Sequence, residues 1–84
     1  MSHPASEKLL IVNADDHGYT ASVSEGIRLA HRQGIVSSTS VMLTMPAAMT
    51  ELGRLKTETP TLGIGVHLTV TKGRPYRLPR FWLP

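Results

Sequence analysis

The sequence contains no cysteine, and only four of its 84 residues are aromatic. The first absence excludes a disulfide scaffold, thiolate zinc sites and cysteine nucleophiles. Long hydrophobic runs are missing too. The longest is Leu9–Val12, against the ~20 residues a spanning helix needs. Met1–Glu7 is polar, and no apolar core of signal-peptide length follows it. The expectation is a cytoplasmic chain with no membrane span. Acidic residues are absent from the last thirteen positions, where four of the nine basic residues stand: Lys72, Arg74, Arg77 and Arg80. The remainder carries five basic against six acidic residues, so the net charge of +3 belongs to the tail.

What is present is ordinary for a globular chain: 40% hydrophobic and 18% charged residues. The length supports one small domain at most, and chains of this size bury only about 60% of their unfolded surface. They usually add a metal or a partner where disulfides are absent. Tyr76, Phe81 and Trp82 lie among the arginines of the tail, a mixture able to stack on single-stranded nucleic acid or on sugar rings. Its simpler reading is a loop packed on the rest of a domain, so nucleic acid is not expected as a partner. Three prolines also mark 71–84 as irregular.

Hydrophobic patterning orders the body. Lys8–Asp15 reads as a buried strand that Gly18 breaks. Ser22–Gln33 reads as a helix, with Ser22 and Glu25 as a capping box, Val23, Ile27 and Ala30 on one face, and Gly34 as a left-handed terminator. Val36–Thr44 reads as a second strand. Pro46 opens a second helix whose apolar face includes Ala48, Leu52 and Leu55, and Pro60 ends it. Gly63–Val70 reads as a third strand. The fold class is α/β: a β-α-β-α-β run with parallel strands and right-handed crossovers. Three such strands and two helices do not complete a parallel sheet, which is normally covered on both faces. The expectation is the opening portion of a larger α/β domain, apparently truncated, or a homo-oligomer that pairs its sheet edges with another copy.

Alternation splits each strand into two faces. Leu10, Val12 and Ala14 oppose Leu9, Ile11, Asn13 and Asp15. Val41 and Leu43 oppose Ser38, Ser40 and Met42. Ile64, Val66, Leu68 and Val70 oppose Gly63, Gly65, His67 and Thr69. One face is oily and suited to lie under helices, while the other turns small and polar towards the carboxyl ends. Ligands of α/β folds bind at those ends. Asp15, Asp16 and His67 all fall there, on the first and third strands, which in a closed barrel aim at one layer.

An Asp pair can supply a metal ligand and a general base, or simply cap a helix or solvate a turn. Both carboxylates reach one site only if the backbone leaves strand geometry between them, and Gly18 permits that. His67 projects from the small polar face between Gly65 and Thr69, which favours a ligand over a core histidine. His17 reads as a loop side chain near the mouth of the site. His31, beside Arg28 and Arg32, reads as a solvated helix residue, and His3 is assigned nothing. Oxygen and nitrogen donors without sulfur suit one divalent ion, zinc or magnesium or manganese. Catalytic zinc usually takes three protein ligands, so at least one lies elsewhere. Ser37, Ser38, Thr39 and Ser40 have no glycine-rich loop or nearby base and read as ordinary strand hydroxyls.

Leu10-Ile-Val-Asn-Ala-Asp-Asp16 followed by Gly18, Gly34-Ile-Val-Ser-Ser-Thr-Ser40, Pro46-Ala-Ala48, Leu62-Gly-Ile-Gly-Val-His-Leu-Thr69 and Gly73-Arg-Pro75 together resemble the YdjC-like carbohydrate deacetylases, a group that includes the chitooligosaccharide deacetylases. The resemblance runs from about Leu9 to Pro79. It implies a (β/α) barrel-like fold of which residues 1–84 form the N-terminal part. It implies metal-dependent removal of acetyl groups from N-acetylated sugars or oligosaccharides. By motif position it makes Asp16 and His67 metal ligands and Asp15 the base, with a further histidine ligand beyond Pro84. Asn13, His17 and Arg74 become candidate substrate contacts. His17 departs from the pattern, which usually has phenylalanine there.

Overall fold

A computed structural model describes residues 7–73. The chain forms β1 (Asn13–His17), α1 (Ala21–Gln33), β2 (Ser38–Val41), α2 (Ala48–Glu58) and β3 (Gly63–Val66). The strands are parallel and lie in the order β1-β2-β3, so the expected β-α-β-α-β sequence is the one found. A parallel sheet that grows in one direction through right-handed crossovers keeps both helices on the same face. Here α1 and α2 pack on each other and on β1. The opposite face, carrying Asn13, Ser38, Ser40, Gly63 and Gly65, bears no helix among the described residues. From Arg74 onward, the expected irregular tail lies outside the described residues.

The core under the helices is small: Ile27, Val41, Leu55 and Leu62, with Ala14, Val36 and Leu52 packed against it. The strands are shorter than the hydrophobic runs predict. Leu9, Leu10 and Ile11 are exposed rather than buried. They precede the paired segment, which begins in effect where the Val12 carbonyl accepts from Ser37 N at 2.9 Å. Ile64, Val66, Leu68 and Val70 were expected beneath helices, yet Val66 is 62% and Leu68 89% exposed. Both helices sit towards β1, which leaves the helix-side face of β3 uncovered among the described residues.

The helix ends also differ from expectation. Thr20, not Ser22, caps α1: its backbone is extended and its side chain accepts from Val23 N at 3.1 Å. Ser22 falls inside the first turn. Gly34 is extended (φ −134) rather than left-handed. Glycine stands there because a Cβ would come within 2.7 Å of the Ala30 carbonyl oxygen. Pro46 lies just outside α2, ahead of its N-cap Ala47.

Two side chains of α1 prove structural, and one of them, His31, reads from the sequence as solvated. The Arg28 guanidinium, 2% exposed, donates to Glu51 Oε2 at 2.6 Å and so ties α1 to α2. His31 is not a free surface side chain. Its Nδ1 is 2.7 Å from the Val36 carbonyl and its Nε2 3.0 Å from Thr61 Oγ1, which fastens the end of α1 to the loops before β2 and β3.

Candidate functional site

The site begins with an irregularity in β1. Ala14 pairs with Thr39 and His17 with Val41, so three steps along β1 match two along β2. One extra residue is accommodated as a bulge. Asp16 has φ +77, the left-handed region, and is the only described non-glycine residue there. Asp tolerates that conformation better than most side chains. The sequence attributes the break in strand geometry to Gly18, but the break sits on Asp16 itself. Gly18 (φ +94) completes the turn, where a Cβ would lie 3.1 Å from Ala48 Cα.

The bulge resets the alternation. Ala14 and His17 both face the helices, while Asp15 and Asp16 are delivered to the open face. His67 arrives on that face from beyond β3, since Gly63, Gly65 and His67 share one parity. Its backbone N donates to the Val41 carbonyl at 3.0 Å, which extends the pairing one residue past β3. Its Nδ1 lies 3.0 Å from Asp16 Oδ1. Acidic and imidazole groups fifty-one positions apart in the sequence thus meet at one rim.

The approach of His67 to Asp16 is close but not aligned as a hydrogen bond. Nδ1 is a buried polar atom with no hydrogen-bond partner among the described residues. Two donor atoms of one cation at ~2.0–2.2 Å from each would stand roughly 3 Å apart. An orphaned imidazole nitrogen beside a carboxylate oxygen fits that requirement, and the oxygen–nitrogen donor pair suits a divalent ion. Among the described residues no group of three or more such donors gathers.

Asp15 is held by its neighbours. Asn13 Nδ2 donates to Asp15 Oδ1 at 2.8 Å and to Ser40 Oγ at 3.0 Å. Ser38 Oγ donates to Asn13 Oδ1 at 2.7 Å, and Ser40 Oγ reaches Asp15 Oδ1 at 3.5 Å. These serines were read as ordinary strand hydroxyls. That holds for Ser37 and Thr39, whose side chains bond the backbone of β1 and its lead-in. It does not hold for Ser38 and Ser40. The signal was available, since parallel pairing of β1 with β2 sets both on the face of Asn13.

Of the expected site residues, the structure brings together Asn13, Asp15, Asp16 and His67. It does not bring His17, which was expected near the mouth. The bulge turns His17 to the helix side, where it is fully buried with Nε2 3.3 Å from Arg28 Nη1. Burial, and then the Arg28 charge, push its pKa down, and Glu51 opposes them. A neutral imidazole sealed behind the sheet is out of reach of a substrate on the open face. Arg74 lies outside the described residues.

Comparison with known proteins places this geometry in context. Residues 9–84 match the family model described as YdjC-like protein. A carbohydrate deacetylase of Enterococcus faecalis is 46% identical over 81 residues, covering 94% of this chain and 30% of the relative. Carbohydrate deacetylase 2 of Listeria innocua is 50% identical over 66 residues, covering 79% of this chain and 26% of the relative. A crystal structure from Enterococcus faecalis, provisionally described as a cellobiose-phosphate cleavage protein, superposes with a TM-score of 0.77 at 44% identity. It covers 84% of this chain and 28% of that one. The chain thus spans less than a third of the length of the curated relatives it matches.

Proposed function

Since the chain belongs to the YdjC-like protein family, we propose that it acts as part of a carbohydrate deacetylase. The reaction is metal-dependent hydrolysis of the acetamide of an N-acetylated sugar or oligosaccharide. Sequential parallel strands, with helices on one face alone among the described residues, support reading the chain as the opening of a (β/α) barrel whose interior is the polar face. The observation that carries the reading is the unaligned 3.0 Å approach of His67 Nδ1 to Asp16 Oδ1, with Asp15 one residue away.

In this mechanism Asp16 and His67 would hold one divalent ion, zinc or magnesium, which would supply Lewis-acid polarisation of the amide carbonyl and lower the pKa of a water molecule. The Asp15 carboxylate takes the proton from the attacking water. Its Oδ1 accepts from the Asn13 amide, and Oδ2 is the atom assigned to the water. Arg74, in the Gly73-Arg-Pro75 motif, is a further candidate for contact with the sugar. Acetate release from N-acetylated chitooligosaccharides, measured with added zinc or magnesium, tests the reading. Asp15→Asn lowers it by about 10²–10⁴-fold, the usual worth of a general base. Asp16→Asn and His67→Ala each weaken ion binding in calorimetric titration by about tenfold or more. Undiminished hydrolysis after Asp15→Asn, or ion binding indifferent to both ligand changes, rejects the assignment.

A second reading is favoured by the donor count: two donors meet among the described residues, where catalytic zinc usually has three. On that reading the 84-residue chain by itself is catalytically silent and forms oligomers through its uncovered sheet. Weak, sub-stoichiometric ion binding without turnover supports it, and tight stoichiometric binding with turnover rejects it.

A further inference from the structure

We infer that Asn13 is a positioning residue that orients the Asp15 carboxylate, and that Ser38 and Ser40 fix Asn13 for this task. The inference deepens the reading above and rests on Asp15 being the base. Asn13 lies within reach of a sugar on the open face, and its sequence position suggests a substrate contact. Its hydrogen bonds indicate otherwise. An amide side chain offers one carbonyl oxygen and two N–H donors. All three are used within the sheet: Oδ1 by Ser38, and Nδ2 by Asp15 and Ser40.

The arrangement admits one orientation. Turning the amide over would set its carbonyl against the Asp15 carboxylate, acceptor against acceptor, and would set Nδ2 where Ser38 now donates. Ser38 and Ser40 come from a strand whose register with β1 is fixed by pairing of Asn13 with Ser38. They therefore hold the amide from a second, independent element. Asp15 follows an unstrained pair of strand residues but precedes the left-handed Asp16. Its carboxylate would otherwise rotate freely at an exposed rim. Tethering Oδ1 leaves Oδ2 as the atom presented to a reactant, and a charge-assisted bond at 2.8 Å is strong enough to bias that rotation. A base held within its productive geometry contributes where one misplaced by about 1 Å loses about 10²-fold.

Two measurements test this on the full 84-residue chain. In 15N-labelled protein, the Asn13 side-chain amide signals are shifted from those of solvated asparagines. They move on Asp15→Asn, Ser38→Ala and Ser40→Ala, and Ser40→Thr, which keeps the hydroxyl and suits a strand, restores them. Signals that stay put when Asp15→Asn is introduced overturn the inference, without reference to activity. In acetate release, Asn13→Ala lowers kcat by about tenfold to a hundredfold and leaves KM within about twofold. Asn13→Asp, which sets a second carboxylate beside Asp15, loses more. A raised KM at unchanged kcat makes Asn13 a substrate contact and overturns the positioning role. If the amide signals respond as stated but hydrolysis survives Asp15→Asn, the orienting array stands and the assignment of the base falls instead.

Discussion

A neutral imidazole sealed behind a pair of acids makes the corner of β1 sensitive to acid. His17 is fully buried, and its pKa lies below the ordinary 6.5 through burial and the Arg28 charge. As the pH falls through 6.5, the unfolded chain binds a proton that the folded chain refuses, and unfolding gains. Above that value both forms are neutral and His17 adds no pH dependence. One such proton is worth at most about 1.4 kcal/mol per pH unit. His17→Phe therefore flattens the acid side of the stability curve, as urea unfolding at about pH 8 and about pH 5.5 would read out. An equal loss on acidification in both proteins would contradict this account. At this scale the sequence was legible where a simple parity rule applies. Asp15 and His67 sit on open-face positions, and Gly63 and Gly65 mark that face as bare. His17 was not legible, because a bulge adds one residue without a hydrophobic signature and sends the next side chain to the other side. Arg28 and Glu51 were hidden for another reason. Their partnership is made between two helices, and nothing in either helix alone distinguishes a buried charge from a solvated one.

At the scale of elements, the order of strands and helices followed from hydrophobic runs and their punctuation, while their ends did not. Helix α1 shows why. Both Thr20 and Ser22 are good capping residues, and the Ser22–Glu25 spacing imitates a capping box. The decision falls to the turn after Gly18. It leaves Thr20 extended, with its hydroxyl on Val23 N, and lets Ser24 Oγ bond both the Thr20 carbonyl and Gly18 N. Thr20→Ala is then expected to cost about 1 kcal/mol of stability, and Ser22→Ala close to none. Thermal or urea unfolding of the two variants checks the assignment, and the reverse ranking would return the cap to Ser22. The strands were overestimated because an apolar run such as Leu9–Val12 records a preference for burial, whereas strand limits record where a neighbour pairs.

For the whole molecule, the governing fact is how much apolar surface the described residues leave in contact with solvent: Leu9, Leu10, Ile11, Ile64, Val66, Leu68 and Val70 are all exposed. They lie towards both edges of the sheet, and exposed apolar surface of this kind marks faces that associate. The chain should therefore self-associate with rising concentration in sedimentation velocity. Val66→Lys combined with Leu68→Lys should weaken that association by about tenfold or more, since burying each such side chain is worth about 1.5–3 kcal/mol. A monodisperse monomer at all concentrations would count against it. With so thin a core, the rim depends on its backbone as well as on packing. Asp15 and Asp16 are joined by a single rigid peptide plane, so any breathing of the helices behind them carries both Cα atoms together. The direction of each carboxylate is set beyond that plane, for Asp15 by the Asn13 amide on its Oδ1, and the pair keeps its footing even when the wall that bears it slackens.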